Sequence, residues 1–388
     1  MHRFFASKAA KLCSLAILAV TMVGSVRAGL INVAMVPVGD PGNAADSNGY
    51  GAVSYAYQIG KYDVTTSQYA AFLNAVAAAD PYGLYNSFMA SGPARAGINQ
   101  SGASGNYSYS VVAGHENFPV NWVSWGDAAR FANWLQNGQP TDVEGPGTTE
   151  SGAYTLDGAT STTALMAVTR NLNATDFIPT EDEWYKAAYY KGGGTNAGYW
   201  LFPTQNNSTP SNVLSATGKN NANFNNTDPT NHLTSVGAFA ASPGPYGTFD
   251  QGGDVQQWNE SAFDVSSRGV RGGSCFDPSF VLRSSNRNAD NPVAVGNGIG
   301  FRVASVPEPS SVILLIAGIV VLTVAKYRPP RRLFSRPACQ RAAGIVAPAR
   351  PCSGRPRSRI MRQWKASHLM LIRQNAIIAG FNSACARC

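Results

Sequence analysis

Tyr246-Gly247-Thr248-Phe249-Asp250-Gln251-Gly252-Gly253-Asp254-Val255-Gln256-Gln257-Trp258, followed by Arg271-Gly272-Gly273-Ser274 and Gly300-Phe301-Arg302, is the stretch on which the reading of this chain turns. Three blocks precede it in order: Tyr62-Asp63-Val64-Thr65 with the segment behind it, Pro119-Val120-Asn121-Trp122-Val123-Ser124-Trp125-Gly126-Asp127-Ala128, and Ile178-Pro179-Thr180-Glu181-Asp182-Glu183-Trp184. Each block alone is a weak signal. Collinear over more than half of the chain, they are a strong one.

Working outward, three helices announce themselves by their caps. Thr65-Thr66-Ser67-Gln68 precedes Tyr69, Phe72, Leu73 and Val76, an apolar stripe at i, i+3, i+4, i+7. Ser124-Trp125-Gly126-Asp127 precedes Ala128, Phe131, Ala132 and Leu135, and Thr180-Glu181-Asp182-Glu183 precedes Trp184, Ala187 and Ala188. In each, the Thr or Ser oxygen accepts from an orphan backbone N–H, and the Gln or acid three residues on reaches back to the cap's own N–H. Glu183 therefore reads as a cap and not as an acid catalyst. Short strands are expected at Ala56-Tyr57-Gln58-Ile59-Gly60, Gly269-Val270-Arg271-Gly272 and Gly300-Phe301-Arg302-Val303. Between them run long loops, about 79–117, 137–176 and 191–236, which in a compact domain need something to organise them. The fold class expected is α+β, loop-rich, with small sheets. Trp122, Trp125, Trp134, Trp184 and Trp258 are expected in the core, and Arg271 and Arg302 are expected to pair with core carboxylates.

Both ends of the chain read as addresses and not as fold. Residues 1–28 carry Arg3, Lys8 and Lys11, an apolar run from Leu12 to Val23, and Val26-Arg27-Ala28, small at −3 and −1: a signal peptide. The net charge of +8 is uneven. Residues 29–306 hold 12 Lys or Arg against 21 Asp or Glu, whereas the chain from Lys326 onward holds 14 basic residues and no acid. The folded part is thus acidic, and no nucleic-acid partner is expected. Of the 6 cysteines, Cys275 alone falls within the domain, so no disulfide forms inside it.

The four blocks resemble the formylglycine-generating enzyme (sulfatase-modifying factor) family, which implies a loop-rich α+β fold related to C-type lectin domains over residues 29–305. Behind it, Val306-Pro307-Glu308-Pro309-Ser310, the apolar run 312–325 and the cluster Lys326, Arg328, Arg331 and Arg332 resemble a PEP-CTERM sorting signal over 306–332. That resemblance implies sorting by an exosortase-type machinery, membrane attachment through the C-terminal segment, and a place in the envelope, surface or extracellular matrix of a Gram-negative-type bacterium. The basic tail 333–388 is expected to be disordered.

The family resemblance also implies metal sites. One calcium set falls on Asn223, Phe224 (carbonyl), Asp228 and Thr230 (carbonyl), the other on Asp250, Gly253 (carbonyl), Val255 (carbonyl) and Gln257. In the second set Asp replaces the family's Asn and Gln its Glu. Six to eight oxygen ligands suit this hard cation. The family's oxidase chemistry binds copper(I) between two thiolates spaced C-x4-C just after Gly-Gly-Ser, the soft pair that selects Cu(I). Here those two positions are Asp277 and Leu282, and Cys275 sits two places early. Copper is not expected, and Cys275, a weak catalytic candidate, reads as a small core residue. The function expected is a non-catalytic module for a polysaccharide or protein ligand. The alternatives are an active formylglycine-generating oxidoreductase acting on sulfatase cysteines, or a structural component of an extracellular matrix.

Overall fold

The computed structural model describes residues 31–306, Pro93 and Arg95 excepted. The leader, the sorting signal with its apolar run, and the basic tail lie outside the described residues. Among the described residues no helix is long and apolar enough to cross a membrane.

In chain order the elements are β1 (Met35–Val38), β2 (Tyr57–Gly60), α1 (Thr66–Val76), α2 (Phe88–Ser91), β3 (Ile98–Ser101), β4 (Ser108–Val111), α3 (Trp125–Gln136), α4 (Thr162–Ala167), β5 (Asp176–Phe177) and α5 (Glu181–Tyr189). Then follow β6 (Gln256–Ala262), β7 (Arg268–Arg271), a single 3-10 turn at Ser279–Leu282, β8 (Asn288–Asp290), β9 (Ile299–Gly300) and β10 (Ala304–Ser305). They form one sheet in the order β1-β2-β10-β5, a second in the order β8-β7-β6-β9, and the hairpin β3-β4. The α+β, loop-rich class holds.

All three capping boxes are present. Gln68, Asp127 and Glu183 each donate a backbone N–H to the hydroxyl of Thr65, Ser124 and Thr180, and their side chains accept from the cap N–H at 2.9, 2.8 and 2.6 Å. Glu183 is a cap, and it also pairs with Arg170 at 2.8 Å. Helices α1 and α3 meet through an aromatic cluster in which Phe72 lies 5.3 Å from Phe131 and 5.3 Å from Trp134, and Phe131 lies 5.3 Å from Phe301. Such pairs contribute about 0.5–1.5 kcal/mol each beyond their burial.

Two expectations need correction. Trp122 lies at the margin of the core and not inside it: it packs against the core but is only half-buried, has a φ of 60°, and its ring lies 4.9 Å from that of Phe88. Nor do residues 300–303 make one strand. β9 pairs in parallel with β6 in one sheet, while β10 lies antiparallel between β2 and β5 in the other. Residues 301–303 carry the chain across, which takes them out of both ladders. The long loops also contain more structure than their composition announces, since 79–117 holds α2 and the β3-β4 hairpin.

The crossing places Arg302 in the centre. Its fully buried guanidinium donates to Gln257 Oε1 (2.6 Å), Gly60 O (2.9 Å), Asp63 Oδ1 (3.1 Å) and Phe249 O (2.9 Å). Gln257 Oε1 accepts in addition from Trp184 Nε1 at 2.6 Å. Arg302 and Gln257 together therefore tie residues from the first, third and fourth sequence blocks. Arg271 also meets its expected carboxylate, Glu181, at 2.6 Å, and the half-buried Arg287 holds the same acid at 2.7 Å. Removing one member of a buried pair leaves an uncompensated charge and costs about 3–5 kcal/mol. Arg302→Met is expected to lower stability by that amount, read from the denaturant midpoint at unchanged slope. Arg287→Ala, which leaves Glu181 to Arg271, is expected to cost at most about 1 kcal/mol; equal losses in the two variants would contradict this ranking.

Candidate functional site

Three loop segments converge where the family resemblance places its chemistry. Asp254 N–H donates to Asn223 O (2.8 Å), Gly253 N–H to Gly272 O (3.0 Å), and Cys275 N–H to Asp254 O (2.9 Å). The loop that starts at Asn223 then clasps the Gly-Gly-Ser loop, Asn226 N–H donating to Cys275 O (2.7 Å) and Asn225 N–H to Asp277 O (3.0 Å). Gly253 is required here on two counts. Its φ is +88°, and a Cβ at that position would fall 2.0 Å from Asn223 O.

At the two positions where the resemblance expects cysteines, Asp277 is a turn-closing carboxylate and Leu282 is core. Asp277 Oδ2 accepts from Ser274 N–H (2.7 Å), Ser274 Oγ (2.8 Å) and Gln256 Nε2 (3.3 Å). Leu282 is buried with Phe202, Ala222 and Phe224. Cys275 is fully buried among Ala94, Phe118, Leu233 and Val255, the small core residue expected. Burial, and next the charge of Asp254, push its thiol far above the ordinary cysteine range. A buried neutral thiol is a poor nucleophile and a poor metal ligand.

The two sets expected to hold calcium differ in what they offer. In the first, Asn223 is buried, and its Nδ2 donates to His232 O (2.8 Å) and Asp254 Oδ1 (3.0 Å), while its Oδ1 has no hydrogen-bond partner. Phe224 O accepts from Thr227 Oγ1 at 3.1 Å and Asn212 Nδ2 at 3.3 Å. The Asp228 carboxylate, on the same loop, accepts from Thr230 N–H (2.8 Å), Asn231 N–H (3.0 Å) and Asn231 Nδ2 (3.0 Å). Against slight desolvation, these bonds hold Asp228 below the usual carboxylate range, so it presents an anion at neutral pH. An orphaned buried amide oxygen at Asn223 and an anion at Asp228 on the same loop are both oxygen donors of the kind a hard cation takes.

In the second set, Gln257 donates from Nε2 to Asp250 O at 2.8 Å, and both lone pairs of its Oε1 are taken by Trp184 and Arg302. Gln257 contributes an oxygen to a cation only by giving up one of them. Asp250 Oδ2 accepts from Gly237 N–H at 2.6 Å, and burial pushes its carboxyl up to about 6. Val255 packs its side chain beside Cys275. Sequence reasoning passed over Asp254, whose buried carboxylate accepts from Asn223, Thr234 N–H (3.1 Å) and Thr234 Oγ1 (2.7 Å) and so fixes the root of the first loop. Its place inside the fourth block was the available signal.

Outside the clasp, the His232 ring lies 5.0 Å from the half-buried Phe276 ring, and its Nδ1 is 3.1 Å from Asn226 Oδ1. Phe280 is exposed close by in sequence, and Asn288 Nδ2 donates to Gln256 Oε1 at 3.0 Å.

A loop-rich α+β domain with a Gly-Gly-Ser loop seated on its Gln257–Arg302 core defines the class. The chain belongs to the sulfatase-modifying factor enzyme 1-like domain family, whose model matches residues 38–306. Among solved structures it is similar to Treponema denticola variable protein 1 (20% identity, 71% of this chain and 96% of that one, TM-score 0.45). It is also similar to CarF (19%, 71% and 99%, TM-score 0.47) and to PvdO from Pseudomonas aeruginosa (17%, 71% and 92%, TM-score 0.37). A comparison with curated proteins gave no significant match.

The burial of Cys275 has a direct readout. In the native protein its peptide is expected to resist alkylation at pH 8 for hours and to be labelled within minutes in denaturant, followed by mass spectrometry of that peptide. Rapid labelling in the native state would show an accessible thiol.

Proposed function

We propose that this protein is a non-catalytic member of its family, a ligand-binding or surface module that keeps the scaffold and has given up the copper chemistry. The observation that carries the reading is the pair Asp277 and Leu282 at the positions where linear Cu(I) coordination needs two thiolates. One is a carboxylate committed to Ser274 and the other a buried hydrocarbon, and a single buried thiol at Cys275 cannot replace the pair. The ligand is a polysaccharide or a protein, met by Phe276, Phe280, His232 and the neighbouring amides, which supply apolar faces to stack on and donors and acceptors around them.

Calcium belongs to the same proposal. Asn223, Phe224, Asp228 and Thr230 would hold it, and it would fix the loop that clasps the Gly-Gly-Ser turn, and with it the His232–Phe276 surface. Residues 1–28 and 306–332 would deliver the module to the envelope through an exosortase-type machinery, with the run 312–325 in the membrane.

Two experiments test these points. The purified protein is incubated with copper, oxygen and a peptide carrying a sulfatase-type cysteine motif, and aldehyde is sought by mass spectrometry. None is expected; aldehyde that disappears in Cys275→Ala would restore the oxidase reading. In thermal melting, calcium is expected to raise the midpoint and Asp228→Asn to remove part of that rise, since a bound ion stabilises the folded state by mass action. A rise left intact by Asp228→Asn would take calcium away from this loop.

A further inference from the structure

A second aromatic surface is joined to the one at Phe276 by the short segment Gly296–Gly298. Gly298 packs so closely on the Gly-Gly-Ser loop that a Cβ there would fall 2.8 Å from Ser274 Cβ and 3.8 Å from Phe276 Cδ2. Two residues earlier, Gly296 O accepts from Trp122 N–H at 3.0 Å. The fully buried Asn121 fastens the same segment, donating from Nδ2 to Asn297 O at 2.6 Å and to Ala94 O. The Trp122 ring lies 4.9 Å from that of Phe88, the two planes 31° apart, and Phe88 is 51% exposed. At most about 7 Å of chain separates Gly296 from Gly298, so Phe276 and the Trp122–Phe88 pair flank one bridge.

Trp122 holds its place at a cost. Its φ of 60° is a left-handed conformation that a bulky residue rarely adopts, and its buried Nε1 has no hydrogen-bond partner. A residue that only filled this margin of the core would avoid both penalties, since Asn or Gly accepts that backbone with far less strain. Residues held against such strain concentrate at ligand sites.

The surroundings choose the ligand. Residues 84–92, 117–123 and 291–298, which build this face, contain no Lys, Arg, Asp or Glu. A charged peptide, a phosphate headgroup or a nucleic acid finds no counter-charge on these segments. Around Phe88 stand uncharged polar residues instead: Ser87 and Ser91 are exposed, and Asn86 is half-buried, as is Asn297 beside Trp122. Aromatic faces among neutral donors and acceptors suit the apolar face and the hydroxyls of a sugar ring.

We propose that the Trp122–Phe88 pair is a second sugar-stacking platform, and that with Phe276 it binds an extended, uncharged polysaccharide lying across Gly296–Gly298. The proposal rests on the module reading above and narrows its ligand from polysaccharide or protein to polysaccharide. A chain molecule explains two platforms where a single sugar needs one.

The test is affinity electrophoresis of the full chain in native gels that contain hydroxyethylcellulose, dextran or galactomannan. At least one polymer is expected to retard the parent, and Phe88→Ala and Trp122→Asn are each expected to weaken that binding about tenfold. Trp122→Phe, which keeps a ring, is expected to retain most of it. Phe88 is largely in solvent, so Phe88→Ala should melt within a few degrees of the parent, and its loss of binding is then not a loss of fold. Calorimetry with oligosaccharides of the retarding polymer should show affinity rising with length until both platforms are covered. Binding lost in Phe276→Ala but kept in Phe88→Ala and Trp122→Asn overturns this inference and leaves the Phe276 surface standing. No retardation by any of the polymers overturns it as well, and the module reading then falls to a protein ligand.

Discussion

The guanidinium of Arg302 sets the terms for this domain. It is in contact with β2 through Gly60, with the loop behind it through Asp63, with Phe249, and with β6 through Gln257. An arginine presents five N–H donors in a fixed plane, so a fully buried one is tolerated only when acceptors arrive from several directions at once. That requirement explains the geometry around it. Residues 301–303 must leave both sheets so that the side chain can turn inward, and the strands on either side shrink to two residues each. Gln257 must then serve Arg302 and Trp184 together, which brings α5 onto the second sheet.

The same commitment constrains what the site can do. Gln257 stands at an expected calcium position, yet its oxygen is the acceptor that joins Trp184 to Arg302. The Gly-Gly-Ser loop that follows β7 is held by backbone bonds to Gly253 and Asp254 and is clasped by the loop from Asn223. At the two positions where the family resemblance expects cysteines stand a turn-closing carboxylate, Asp277, and a core leucine, Leu282. Family membership rests on the family model that matches residues 38–306, and the proposed loss of activity on these two side chains.

How much could be read from the sequence follows the range of the interaction. The capping boxes of α1, α3 and α5 are local, with both partners within four residues, and each was legible together with the apolar stripe behind it. The pairing of Arg271 and Arg302 with core carboxylates was legible as a need, because a buried guanidinium must find acceptors, though their partners were not. Trp122 and the split of residues 300–303 were not legible. One depends on a positive φ imposed where the chain enters α3, the other on two sheets competing for the same segment. Asp254 carried no periodic signal, and its place inside the fourth block was the only mark the sequence gave it. The burial of Cys275 was legible because a small apolar side chain next to a Gly-Gly-Ser turn suits a packed interior.

The most direct test of the central claim is Cu(I) binding by a chain in which Cys13, Cys339, Cys352, Cys385 and Cys388 are replaced by serine, leaving Cys275. Competition against a chromophoric Cu(I) chelator should show no copper retained by the protein, with X-ray absorption finding no sulfur-ligated copper. One equivalent of tightly held Cu(I) with sulfur in its coordination shell would contradict the account.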